Sequence, residues 1–100
     1  MKRAMNMLGL CMRAGRIISG EKACVQAVRA GGACAGVLDR AAAKNAVKAV
    51  TDSCTFYEVP LIYAPENELG AAIGKPGRMV AAITDPSMAD RILELADGGR

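Results

Sequence analysis

A chain of 100 residues, 52% hydrophobic and 23% charged, is long enough to bury one core as a single domain over residues 1–100, and its composition excludes a disordered tail. It contains no histidine, which excludes histidine-based acid–base or nucleophilic catalysis and any zinc site mixing cysteine with histidine. The net charge of +3 conceals an imbalance: residues 1–50 carry nine Lys/Arg against Glu21 and Asp39, a net of +7, while residues 51–100 carry four against eight acids, a net of −4. Unless the two halves interleave in space, that asymmetry points to a polyanionic partner on one side of the molecule.

Met1 to Ala14 is expected to be a helix, with Met5, Leu8 and Met12 on one apolar face and Met7, Leu10 and Cys11 beside them. Gly15 stops it, and Arg16-Ile17-Ile18 forms a short extended piece. Ser19 is placed to cap a second helix that runs to about Ala30, with Cys24, Ala27 and Val28 facing inward and Gly31-Gly32 ending it. Cys34 to Leu38 is an apolar run of strand length. A third helix is expected from about Ala41 to Ser53, with Ala43, Ala46, Val47, Val50 and Cys54 on one side.

Val59 to Ala64 reads as the next core strand, with Pro60 tolerable near its start. Pro65 opens a short helix through about Ile73, and Gly74-Lys75-Pro76-Gly77 is a loop. Met79 to Thr84 is another core strand. Asp85-Pro86 supplies an N-cap followed by proline at the first helical position, starting a last helix that docks through Ile92, Leu93 and Leu95 and frays from Asp97 to Arg100. Strands alternating with helices predict an α/β domain, a small buried sheet with helices on both faces.

Several chemistries fail on spacing. Gly70-Ala-Ala-Ile-Gly74-Lys75 has three residues between its glycines where a phosphate-binding P-loop needs four, and Pro76 stands where that loop needs a hydroxyl. Glu66 and Glu68 are two apart on a helix and do not face each other. Cys11, Cys24, Cys34 and Cys54 include no close ligand pair, and the first three lie in apolar contexts that suit buried, reduced thiols. With no signal-peptide pattern and no apolar run of about 18 residues, a cytoplasmic protein without a membrane partner is expected. No enzyme activity, cofactor or metal is expected.

The informative segment is Arg13-Ala-Gly-Arg-Ile-Ile-Ser-Gly-Glu-Lys22, which ends where a helix begins. A helix N-terminus presents free N–H groups and partial positive charge. Gly20 lets a backbone approach, Lys22 adds a mobile cation, Glu21 either accepts from a base edge or favours the helix dipole, and Arg13 and Arg16 flank the approach. Such a ledge suits phosphate and base edges.

That segment through Ala23, together with Ala27-Val-Arg-Ala-Gly31, Val59-Pro-Leu-Ile62, Glu68-Leu-Gly-Ala-Ala-Ile-Gly-Lys75 and Val80-Ala-Ala-Ile-Thr-Asp85, resembles the bacterial YlxQ-type ribosomal-like proteins, within the superfamily of kink-turn RNA-binding ribosomal proteins. The resemblance covers nearly the whole chain in order. It implies a three-layer α/β/α sandwich with a mixed sheet of about four strands, and a structured-RNA partner, either a kink-turn or ribosomal RNA, with the ribosome as a further partner. It also implies an RNA surface of neighbouring loops. These are Gly20-Glu21-Lys22 with Gln26 and Arg29 further along the helix, the turn around Asp39-Arg40, and the loop from Gly74 to Met79 with Lys75 and Arg78. Members of the superfamily hold the sheared G·A pairs and flipped nucleotide of a sharply bent RNA, which suits a protein poor in aromatic residues.

Three positions depart from the pattern: Ala23 replaces an amide or acid, Gln26 replaces a lysine, and Arg40 stands where many relatives have an acid. These changes bear on base readout more than on phosphate contact, which requires only positive charge and free N–H groups. A protein–protein adaptor on the same fold, docking through the Ala- and Met-rich first helix, is the competing reading. Oligomeric state stays open, with a monomer favoured.

Overall fold

The computed structural model describes residues 1–98. Its elements are α1 (Lys2–Arg13), β1 (Ile17–Ser19), α2 (Glu21–Arg29), β2 (Ala35–Asp39), α3 (Lys44–Phe56), β3 (Leu61–Ala64), α4 (Glu68–Ala72), β4 (Val80–Ile83) and α5 (Pro86–Gly98). The four strands form one mixed sheet in the order β1-β4-β2-β3, with β4 antiparallel to β1 and β2, and β3 parallel to β2.

Strand alternation divides the core into two layers. Ala35, Val37, Ile62, Ala64, Ala81 and Ile83 pack with Ala4, Met5, Leu8 and Cys11 of α1, Leu69 of α4, and Ala89 and Ile92 of α5. Leu38, Val80 and Ala82 face the other way, onto Cys24 and Val28 of α2 and Val50 and Cys54 of α3. The architecture is thus the expected three-layer sandwich. Small residues dominate the central strands, and they let helices approach both sheet faces with almost no aromatic volume.

Several boundaries differ from expectation, each for a local reason. Ser19 does not cap α2; it is the last residue of β1, and Gly20 occupies the cap position with φ 102° and no side-chain cap. α3 starts at Lys44 rather than near Ala41, because Asp39 draws the chain into a turn by accepting the N–H of Ala41 on its side chain and that of Ala42 on its carbonyl. α4 is shorter than expected: Pro65 to Asn67 form a turn, with Asn67 left-handed at φ 63°. The buried face of α1 is Ala4, Met5, Leu8 and Cys11; Met12 is half-buried and Leu10 is 47% exposed. Cys34 is half-buried, whereas Cys11, Cys24 and Cys54 are buried, and all four thiols are free. Fraying was expected from Asp97, but α5 continues through Gly98, and residues 99 and 100 lie outside the described residues.

Because β1, β2 and β3 run the same way and β4 runs against them, one end of the sheet gathers four junctions. These are β1 to α2, β2 to α3, β3 to α4, and the loop from Gly74 to Met79 entering β4. No helix among the described residues is long and apolar enough to cross a membrane.

Candidate nucleic-acid interface

Two distant segments meet at this end. The Gly20 N–H donates to the Val80 carbonyl at 2.9 Å, and the Arg78 guanidinium donates to the Ser19 carbonyl at 3.3 Å and to Ser19 Oγ at 3.1 Å. Gly20 is favoured here chiefly by its backbone conformation. Its φ of 102° with ψ of 139° is a conformation that side-chain-bearing residues rarely adopt, and a Cβ would sit 3.3 Å from Arg78 Nη1. Behind this junction Cys24 donates its thiol to the Ile18 carbonyl. Its pKa is pushed up to about 12 by burial and by the neighbouring Cys54, with the Arg78 charge pulling the other way.

The second tie is Asp39, fully buried at the end of β2. Its Oδ1 accepts the N–H groups of Ala41 at 2.8 Å and Asn67 at 2.9 Å, and its Oδ2 accepts that of Leu69 at 3.1 Å. One carboxyl group therefore joins the turn before α3 to the start of α4. Its backbone completes the join, with the Asp39 N–H donating to Met79 and the Arg40 N–H to Ala64. The third tie is Gly70. A Cβ there would lie 2.7 Å from the Lys75 carbonyl oxygen and 3.0 Å from the Gly77 nitrogen, so the loop after α4 folds directly onto this residue. The Lys75 N–H closes the contact on the Gly70 carbonyl at 2.8 Å.

On this framework Glu21, Lys22, Arg40, Lys75 and Arg78 are exposed at one end of the sheet. The Arg40 guanidinium lies 5.6 Å from the Tyr63 ring centroid, a cation–π contact that steers it over β3. Lys22, Gln26 and Arg29 are all exposed and fall at i, i+4 and i+7, a single stripe along α2. The salt bridges among the described residues are Lys48–Asp52 on α3 and Arg91–Glu94 on α5, so the cations of this end are unpaired with carboxylates there.

Three expected members lie elsewhere, the first being Arg29, which ends α2 at the opposite end of that helix from Gly20. Arg13 ends α1 and Arg16 precedes β1, so the whole of β1 separates them from Gly20, and they do not flank the start of α2. The Asp39-Arg40 turn also divides: Arg40 faces solvent, while Asp39 is internal and serves the loops. Sequence reasoning missed Asp39 as a tie. The available signal was an acid ending an otherwise apolar strand, which must find donors to be buried. It also missed Ser19 as the Arg78 acceptor and Asn67 as a left-handed turn. A depression of about 620 Å³ lies between α1 and α4 and shares only Arg13 with the expected site.

Comparison with known proteins bears on the family and the fold. Residues 2–93 match the profile of the ribosomal protein L7Ae/L30e/S12e/Gadd45 family. The chain is 37% identical over 92 residues to the RNA-binding protein YlxQ of Bacillus subtilis, covering 91% of this chain and 92% of that one. It is 38% identical over 98 residues to the RNA-binding protein YlxQ of Enterococcus faecium, covering 97% and 94%. Among solved structures, a Bacillus halodurans protein of unknown function superposes with a TM-score of 0.90 at 30% identity, covering 94% and 96% of the two chains. The Giardia lamblia 15.5kD RNA binding protein superposes with a TM-score of 0.75 at 19% identity, covering 94% and 84%, a likeness of fold.

Proposed function

The chain belongs to the ribosomal protein L7Ae/L30e/S12e/Gadd45 family, a family of ribosomal-type RNA-binding proteins rather than enzymes, and from that membership we propose that it binds structured RNA, in the cytoplasm, through the loop end of its sheet. The observation that carries the reading is the Gly20–Arg78 junction. It sets the start of α2 beside the loop entering β4 and leaves Lys22, Lys75 and Arg78 exposed around them. The curated relatives are named as RNA-binding proteins, which supports the same class of partner.

In this reading Lys22, Lys75, Arg78 and Arg40 contact phosphate, the free N–H groups after Gly20 meet an acceptor, and Glu21 and Gln26 face base edges. The surface is held by hydrogen bonds between segments far apart in sequence, from backbone, the Asp39 carboxylate and the Arg78 guanidinium, and a ledge fixed in this way suits recognition of a preformed RNA shape such as a kink-turn. Ala23 and Gln26 reduce the number of groups that read bases, so phosphate contacts carry more of the affinity.

The test is a titration against a kink-turn RNA and the same RNA with its G·A pairs replaced. Tighter binding to the intact motif is expected, with affinity falling as salt rises. Lys22→Ala and Arg78→Ala are each expected to weaken binding about three- to tenfold at low salt, in keeping with about 1 kcal/mol for one exposed charged contact. Parent-like affinity of both variants would remove this site. Equal affinity for the two RNAs would remove kink-turn recognition and leave general RNA binding. Ribosome association is tested by co-sedimentation with large subunits before and after a salt wash.

A second reading, an adaptor docking protein through α1, is favoured by one observation. Leu10 is 47% exposed on a ridge between the depression beside α4 and a shallower one lined by Arg3, Met7, Arg91 and Leu95. A stable oligomer of nucleic-acid-free protein in size exclusion would favour it.

A further inference from the structure

We propose that the opposite end of the sheet carries a second, separate RNA contact: a phosphate-binding edge made by Arg13, Arg16 and Arg29, which takes the backbone of a duplex leaving the loop end along β1. The proposal rests on the RNA-binding reading above and extends it from one contact area to two.

The chain path brings the three arginines to one edge. Arg13 is the last residue of α1. Arg16 leads into β1; its N–H donates to the Cys11 carbonyl at 2.9 Å and its carbonyl accepts the Thr84 N–H at 3.0 Å. α2 begins where β1 ends and runs back, so Arg29 at its C-terminus returns to the level at which β1 started. The Gly31-Gly32 turn then delivers Cys34, whose N–H meets the Ile83 carbonyl at 2.7 Å, and Ile83 is the residue paired with Ile17. The residues flanking β1 at this level are therefore the two helix ends and Arg16.

Helix dipoles explain part of this charge but not all. Arg13 and Arg29 each sit in the last turn of a helix, where a cation is favoured. Arg16 is on no helix and has no such reason to be basic. All three are exposed and lack a carboxylate partner among the described residues. Of the acids nearby, Asp85 caps α5, its Oδ2 accepting the Met88 N–H at 2.9 Å, and Glu68 lines the depression between α1 and α4 with Arg13 without forming an ion pair among the described residues. The exposed aromatic pair Phe56 and Tyr57 closes α3 and precedes β3, on the other edge of the sheet. An edge with cations and no stacking platform suits phosphate rather than unpaired bases.

Length decides that this is a separate contact. From Arg16 to Gly20 the extended chain covers roughly 13 Å, at about 3.3 Å per residue. That exceeds the roughly 8 Å screening length at physiological salt, so the two groups of cations do not reinforce each other at a single phosphate. β1 is an edge strand with no further strand beyond it, and its three residues are half-buried. α2 packs against β1, and its exposed Lys22, Gln26 and Arg29 span that helix from one end to the other. A rod-like partner lying on that edge meets both groups, whereas a compact one meets only the first.

The experiment compares two RNAs that share the motif bound at the loop end, one with a long flanking duplex and one trimmed close to the motif. Each is titrated with the parent, with Lys22→Ala, and with the triple variant Arg13→Gln, Arg16→Gln, Arg29→Gln, whose positions are exposed. On the long RNA the triple variant is expected to bind about tenfold more weakly at low salt, with a log–log salt slope shallower by about two, since each neutralised phosphate contributes about 0.7–0.9. On the trimmed RNA it is expected to match the parent, while Lys22→Ala loses affinity on both. Parent-like binding of the triple variant to both RNAs overturns the second contact and leaves the first intact. Equal losses on both RNAs also overturn it, by merging the arginines into the loop site. If the triple variant keeps its RNA affinity but loses binding to polyglutamate, the edge is a surface for acidic polypeptide and the proposal fails. If the parent binds neither RNA, the RNA-binding reading falls and takes this one with it.

Discussion

At one end of the sheet a buried carboxyl group, an arginine and a side-chain-free glycine tie four chain segments together; at the other, α1, α2 and α3 stop at Ala14, Ala30 and Tyr57 with only the usual backbone bonds of a helix C-terminus. The glycines there, Gly15 and Gly31, have φ of 70° and 78° but open space around them, whereas Gly70 at the loop end is pressed against backbone from three residues. Both ends carry unpaired cations. Only the loop end holds them on a surface whose shape is fixed by contacts far apart in sequence. The contrast teaches that charge and shape are separable resources in this fold. A fixed ledge can read the form of a folded RNA, while a charged edge can only follow its backbone.

The largest break in that comparison should come from Asp39→Ala. Three buried or half-buried N–H groups lose their acceptor, at about 1–3 kcal/mol for each that finds no water. A loss of about 3–5 kcal/mol in chemical denaturation is expected, with Asp39→Asn milder because it keeps one acceptor oxygen. Gly31→Ala, at the opposite end, costs about 1 kcal/mol for its left-handed backbone; if Asp39→Ala cost no more than that, the two ends would be equivalent after all. Next comes Gly70→Ala. Its Cβ would meet backbone at 2.7 Å, so the loop from Gly74 to Arg78 must shift. About 2–3 kcal/mol of stability should go, together with RNA affinity, since Lys75 and Arg78 move with the loop.

The buried thiols sharpen the comparison through pH. The Cys24 pKa is raised to about 12 from 9.0, chiefly by desolvation, so its proton is held more tightly in the folded state than in the unfolded one. Its contribution is fully present below pH 9 and is lost progressively as pH rises from 9 toward 12. By pH 10 the loss attributable to Cys24 should be about 1 kcal/mol, within the limit of about 1.4 kcal/mol per pH unit for one proton. Cys24→Ala should flatten that alkaline limb. Cys11 and Cys54 are raised too, also mainly by burial, and they keep part of the slope in that variant. The smallest effect is expected from Lys48→Ala, which removes an exposed bridge to Asp52 and should cost less than about 0.5 kcal/mol and leave RNA binding unchanged.

What the sequence determined alone is what depends on neighbours along the chain. Alternating strands and helices, glycine stops at Gly15 and Gly31, and the Asp85-Pro86 start of α5 all follow from local sterics and short-range hydrogen bonds; the Met88 N–H bonded to Asp85 shows the last directly. The three-layer sandwich and the family were also legible, the second because whole motifs recur in order. Only tertiary structure decided which loops share an end. That depends on strand order and direction, which put Gly20 beside Arg78 and sent Arg13 and Arg16 to the far end of β1. It likewise decided that Asp39 is an internal tie, that Ser19 receives an arginine instead of capping a helix, and that α4 begins late; the late start of α3 rests on the local turn at Asp39. A polar group takes whichever donor or acceptor the folded chain presents, and the partners of Asp39 in and before α4 and of Ser19 lie 28 to 59 residues away, beyond the reach of any local pattern.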